Sequence, residues 1–256
     1  MRITFLGTGT SIGVPMIGCH CEVCRSNDPR DRRMRTSIMV EQDDTRILID
    51  CGPDFRQQML SLDIDRSFDA ILITHEHSDH VDGIDDLRPS RFFGEVNIYA
   101  DENCAKHLIQ RMPYCFLPKG QRYKGVPELN MHIVEPHHTF SVGSMLITPF
   151  RVMHGTLPIL GYRINDLVYI TDMSQLPNTE YEYVRDAKIL VENALRKAIP
   201  HPTHQTLESA LDLARELNPD KTYLIHCCHE IGLYAETAAQ LPANVHLAYD
   251  GLTVEF

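Results

Sequence analysis

Short apolar, β-branched runs recur along almost the whole chain, and they predict strands over residues 2–6, 37–40, 46–50, 70–74, 96–100, 145–152, 167–171, 189–191, 222–225 and 252–255. Helical spacing is rarer. It is clearest over residues 206–217, where Leu207, Ala210, Leu211, Ala214 and Leu217 recur every three or four positions and form one apolar stripe, before Asn218 and Pro219 stop it. Weaker helical patterns cover residues 54–61, 103–111, 180–186 and 233–240. Many strands interspersed with amphipathic helices predict a layered α/β fold with mixed sheets. With no repeat, low-complexity segment or Gly/Ser linker, a single domain over residues 1–256 is the expectation.

Composition narrows the picture. The 256 residues are 43% hydrophobic and 23% charged, which is globular and excludes disordered or fibrous chains. Apolar runs such as residues 69–74 fall far short of the ~20 residues a spanning helix needs, and Met1 leads straight into the first strand. No membrane anchor and a cytoplasmic location are therefore expected. A net charge of −11 argues against a general nucleic-acid binder, and a phosphate-bearing substrate would need positive charge from elsewhere. Eight Cys and 14 His point to metal as the source of it.

The most informative stretch follows the strand at residues 70–74. His75-Glu76-His77-Ser78-Asp79-His80 packs three imidazoles and a carboxylate into six residues. Alternation at the strand end is expected to aim His75 and His77 to one side while the next turn brings Asp79 and His80 round, so one loop can serve two metals. Each ion still lacks ligands. His154, Asp172 and His226 each stand just past a predicted strand, where loops on a rigid scaffold collect function. The Asp172 carboxylate can bridge two ions while the imidazoles complete each shell, as a hydrolytic pair ~3.5–4 Å apart requires.

Cys19, Cys21 and Cys24 stand at C-x-C-x-x-C spacing in a Gly/Pro-rich loop within residues 18–35, close enough to converge on a structural zinc. A fourth ligand must come from afar. On chemistry alone His20, Cys51, Cys227, Cys228 and His229 all qualify. His201 and His204 stand just before the clearest helix, and a positioned imidazole there can protonate a departing alkoxide. His137 and His138 read as surface residues. Gly7 to Gly13 reads as a tight loop, because its third Gly is one place too late for a dinucleotide fingerprint. The basic run Arg30 to Arg35 reads first as a solvated face and second as a phosphate clamp, and Arg88 is a candidate substrate contact. Asp50 and Asp54 read as turn and cap residues under the metal loop.

Residues 4–10, 49–54, 74–80 with Asp82 and Gly83, His154-Gly155, residues 170–173 and His226 together resemble the metallo-β-lactamase superfamily. The resemblance implies a four-layer αββα sandwich. It implies one ion on His75, His77 and His154, another on Asp79, His80 and His226, and Asp172 between them. The Cys-rich insertion is similar to that of the phosphoribosyl cyclic phosphate phosphodiesterases of the carbon-phosphorus lyase pathway, which implies His229 as the fourth zinc ligand and His204 as the active-site acid. The implied activity is hydrolysis of a small cyclic or linear phosphodiester, with Mn or Zn as the catalytic pair, one structural Zn, and Asp79 and His204 as catalytic residues. A homodimer is left open. The competing readings are a tRNA-processing endoribonuclease, a thioester or lactam hydrolase, and a zinc- or redox-sensing binding protein.

Overall fold

The computed structural model describes residues 1–62, 64–118 and 120–256. The strands are β1 (Arg2–Gly7), β2 (Ser37–Gln42), β3 (Thr45–Ile49), β4 (Ala70–Leu72), β5 (Glu95–Ala100), β6 (Glu128–Ile133), β7 (Phe140–Val142), β8 (Met145–His154), β9 (Leu157–Ile164), β10 (Leu167–Tyr169), β11 (Ile189–Asn193), β12 (Lys221–Ile225), β13 (Val245–Leu247) and β14 (Thr253–Glu255). They form two seven-stranded sheets, ordered β14-β1-β2-β3-β4-β5-β6 and β13-β12-β11-β10-β9-β8-β7. Each is mixed in the same way. Strands β3 to β6 run parallel beyond an antiparallel block, and β10 to β13 run parallel beyond another.

Alternation within the strands decides the layering. Ile47 and Ile49 of β3 join Ile3, Phe5, Ile38 and Val40 in a core that meets Met145, Ile147, Leu160, Tyr162 and Val191 of the other sheet. The intervening Leu48 faces outward with Ile71 and Ile98, onto Phe55 and Met59 of α1 (Phe55–Ser61) and Leu108 of a second outer helix (Glu102–Arg111). On the far side Val168 and Leu190 pack on Leu213, and Leu224 on Ala210 and Ala214, of the helix Leu207–Leu217. Both sheets are thus covered on both faces, so their central strands are nearly all apolar, and each fully buried Leu or Ile contributes roughly 1.5–3 kcal/mol. The result is the α/β/β/α sandwich implied by the resemblance.

The helix at Leu207–Leu217 begins at Thr206, whose side chain accepts from the Ser209 amide, and ends at Asn218 in the left-handed region (φ 49). Its buried face is Ala210, Leu213 and Ala214, with Leu207, Leu211 and Leu217 only partly covered, so the expected stripe is rotated toward Leu213. Four strands carried no clear sequence signal. β7 and β13 are three residues long, and β6 alternates exposed polar residues. β9 contains Pro158 and Gly161; a Cβ at Gly161 would sit 2.5 Å from the Phe150 ring, so the glycine is required by close packing.

Candidate metal centre

The predicted ligands gather where the strands of both sheets end. His75, His77 and His154 offer ligand atoms that all lie within 4.8 Å of one another, and so do Asp79, His80, Asp172 and His226. The local route differs from the expected alternation, because β4 stops at Leu72 and His75 already lies in the loop. Asp50 holds this loop. It accepts from the Thr74 amide (2.8 Å) and hydroxyl (2.9 Å) and from His80 Nδ1 (2.7 Å). A short helix, Ser78–Val81, then presents Asp79 and His80. Gly52 and Gly83 let the Asp50 turn pack backbone to backbone on this loop: a Cβ at Gly52 would meet the Asp79 carbonyl at 2.1 Å.

Three residues at the centre, Asp50 (φ 61), Asp172 (φ 54) and His226 (φ 53), adopt the left-handed conformation. Such backbone costs of order 1 kcal/mol and persists where surrounding contacts over-determine it, as they do around functional groups. Hydrogen bonds fix which nitrogen each imidazole presents. His154 Nδ1 donates to the Asp172 carbonyl (2.7 Å) and lies 3.0 Å from the Thr203 carbonyl, so Nε2 faces the cluster. His75 Nε2 and His77 Nδ1 converge at 3.0 Å. His80 Nε2 stands 3.2 Å from Asp172 and 3.3 Å from Asp79, and His226 Nε2 is 3.1 Å from Asp172.

Burial alone would push the His80 proton off, yet the carboxylates of Asp172, Asp50 and Asp79 hold its affinity well above the usual imidazole range. Burial would raise the Asp172 carboxyl, but His226 and His80 bring it well below the usual value. Burial lowers His75 and His77. His80 Nε2 and both ring nitrogens of His226 are buried and hydrogen-bonded to nothing among the described residues. Converging carboxylates and orphaned imidazole nitrogens are the donor set of a cation pair, so the residues fit divalent metal ions.

Cys19, Cys21, Cys24 and His229 form a second ligand set within 4.8 Å. His229 Nδ1 lies 3.2 Å from Cys21 Sγ and 3.6 Å from Cys19 Sγ. The backbone amide of Cys21 lowers the Cys19 thiol, whereas burial pushes Cys24 up to about 11. Of the other fourth-ligand candidates, Cys51, Cys227 and Cys228 are buried apart from this set.

His204 stands beside the centre, its ring centroid 4.8 Å from His154 and 4.9 Å from His226, with a buried Nδ1 that has no hydrogen-bond partner among the described residues. Burial first, then His226, lowers it to about 3. It also shares a 4.8 Å cluster with His154 and Asp172. His201 lies next to it (5.0 Å) with Nδ1 3.1 Å from the Thr203 hydroxyl.

The basic run is largely engaged. Arg30 pairs with Asp28 and lies over Tyr234, Arg33 is buried and donates to Thr8 and the Ala248 carbonyl, and Arg35 pairs with Asp54. Arg33 and Arg35 are thus neither a solvated face nor a free clamp. Arg88 is held by Asp85 and the Gly125 carbonyl. His137 is bonded to Glu180 and stacks on Tyr183, and His138 is exposed beside Glu135. Residue type and spacing mark Asp50 as a turn former and give no signal at Asn193 or Gln205. Only the folded chain shows what their side chains hold.

These elements and this centre define a class. Residues 45–227 match the beta-lactamase superfamily domain, and the chain belongs to that superfamily. Within it the chain belongs to the PhnP family: it is 42% identical to a crystal structure titled as a new diphosphatase from that family, covering 100% of this chain and 98% of that one with a TM-score of 0.91. It is also 45% identical to an octanoyltransferase of Porphyromonas gingivalis, over 98% of this chain and 51% of that protein. A ribonuclease Z of Thermosynechococcus vestitus is 29% identical over 65% of this chain and 37% of its own length. The chain thus spans about half the first of these curated relatives and less of the second. Among the described residues no helix is long and apolar enough to cross a membrane.

Proposed function

We propose that the chain is a metal-dependent hydrolase of a small phosphodiester, with a cyclic ribose phosphate as the leading substrate. The observation that carries this reading is His204, an imidazole set against His154 and His226 beside the two ligand sets, with its buried Nδ1 unpartnered among the described residues. Two divalent ions, Mn or Zn, on His75, His77, His154 and Asp79, His80, His226, with Asp172 shared, would supply Lewis acidity and the positive charge that an acidic chain lacks. Asp50 orients His80 and the carbonyls of Asp172 and Thr203 orient His154, so the imidazoles keep their ligand nitrogens aimed inward. His204 delivers a proton to the departing oxygen, an effect worth typically 10²- to 10⁴-fold. The free site disfavours its charged form, so the proton it delivers is one taken up with the anionic substrate in place.

A second reading, cleavage of a phosphoric anhydride, is favoured by the 42%-identical structure, which is described as a diphosphatase. Transfer-RNA processing is disfavoured by the net charge of −11 and by the engaged state of Arg30, Arg33 and Arg35. The test is turnover by Mn- and Zn-loaded protein of cyclic ribose phosphates, linear phosphodiesters, nucleoside diphosphates, a thioester and a lactam. Phosphodiesters are expected to react fastest. Turnover of the thioester or lactam alone would overturn the proposal, and a preference for the diphosphates would favour the second reading.

A further inference from the structure

Behind the ligand cluster lies a fully buried polar network that none of the roles above requires. Asn193, the last residue of β11, addresses the peptide group of Met173 from both sides: its Oδ1 accepts the Met173 amide at 2.8 Å and its Nδ2 donates to the Met173 carbonyl at 2.9 Å. That carbonyl also accepts the backbone N–H of Gln205 at 2.9 Å. The Gln205 carbonyl is tied to the Leu195 amide (3.0 Å), and its Nε2 reaches the carboxyl of Glu192, 3.3 Å away. Asn193 and Glu192 are 0% exposed, Met173 1% and Gln205 7%, so none of these bonds competes with water.

Met173 follows Asp172, whose backbone is left-handed, and Gln205 follows His204. One carbonyl oxygen is therefore the joint between the shared ligand and the proposed acid, two residues that are 32 apart in the chain. We propose that Asn193 and Gln205 are positioning residues that lock Asp172 and His204 into one rigid unit: the Asn193 side chain and the Gln205 backbone N–H meet at the Met173 carbonyl, and the Gln205 side chain, bonded to Glu192, fixes the segment that presents that N–H. Asn193 sets the left-handed turn that aims the Asp172 carboxylate between the ligand sets. Gln205, anchored on Glu192, holds His204 at a fixed distance from it. Neither touches the reacting atoms, and both act through the residue beside them in the chain.

The acid half of this inference rests on the phosphodiester reading and the ligand half does not, so the experiment has two arms. In the first, Mn and Zn affinities of purified Asn193→Ala are measured by chelator competition, alongside the thermal midpoint of the metal-free protein. Affinity is expected to fall about 10- to 100-fold, as for loss of a group that orients a ligand. In the second, Gln205→Leu is assayed on two phosphodiesters, one with a nitrophenolate leaving group that needs no acid and one with an alkoxide that does. Turnover of the alkoxide ester is expected to fall at least tenfold, with the nitrophenyl ester and metal affinity within about twofold of wild type. A general loss of structure would lower both esters alike. Unchanged metal affinity in Asn193→Ala, or equal losses on both esters in Gln205→Leu, would overturn the proposal. Should Asn193→Ala fail to fold, the leaving-group ratio of Gln205→Leu decides. If wild type cleaves no phosphodiester, that reading fails and the affinity arm decides alone.

Discussion

The two ligand clusters are built on opposite terms. In the His/Asp centre the candidate ligands lie at or just beyond strand ends, and neighbouring side chains and backbone carbonyls hold them: Asp50 grips His80, the Asp172 and Thr203 carbonyls grip His154, and Thr74 lies 3.0 Å from His75 Nδ1. The Cys/His corner has a sparser frame, the Met16 amide donating to Cys24 Sγ at 3.4 Å. Its three thiols sit in coil with one short turn, Val23–Arg25, and its polar contacts run mostly among its own members, with the Cys21 and Cys24 amides pointing at the Cys19 and Cys21 sulfurs at 3.5 Å. Of the four candidate ligands, His229 comes from the far end of the chain. The first cluster is preorganised by the sheets and can spend metal affinity on chemistry. The second has the character of a clasp, where a bound ion would join an N-terminal loop to His229.

Three measurements press on that contrast. The largest effect is expected in the framed cluster: Asp172→Ala should keep the fold and lower turnover by on the order of 10³-fold, the size expected when charge stabilisation worth several kcal/mol is removed. Circular dichroism and steady-state rates check it, and a rate near wild type would remove the shared-ligand role. In the corner the order reverses. In protein loaded with zinc, Cys21→Ser should weaken zinc retention and lower the thermal midpoint by roughly 5 °C or more, at about 2–4 °C per kcal/mol for a chain of this size, while turnover per folded molecule changes little. Equal midpoints for the two proteins would show that the loop orders itself.

The smallest effect concerns pH. His204 is held at about 3 in the folded metal-free protein, against 6.5 for a free imidazole, so the unfolded chain takes the proton first. Its contribution to stability is intact above 6.5 and is lost as pH falls from there toward 3. His204→Gln should flatten that part of the denaturation-against-pH curve, and an unchanged slope would place the proton elsewhere.

Much of this was legible because the chemistry is local. His75 to His80 lie within six residues, and Cys19 to Cys24 likewise, so spacing alone shows that each group can converge. Most of the ten strands visible as apolar runs, β1 to β4 and β10 to β12, are buried on both faces, whereas β6, with its exposed residues, and β9, with Pro158 and Gly161, broke the pattern. His154, Asp172 and His226 were legible only as polar residues after strands. Their partnership depends on sheet order, which no local pattern encodes.

The amino-acid sequence by itself determined which atoms are available to hold metal and which segments are apolar enough to pair into sheets, because both are properties of side-chain type and short-range spacing. Tertiary structure alone decided that Asp50 is an orienting group rather than a turn former, that Arg33 is interior, and that Asn193 meets Gln205 at one carbonyl. Those roles exist only where the fold brings residues distant in the chain within 3 Å, in a dry interior where each polar group must find its partner or stand ready for a cation.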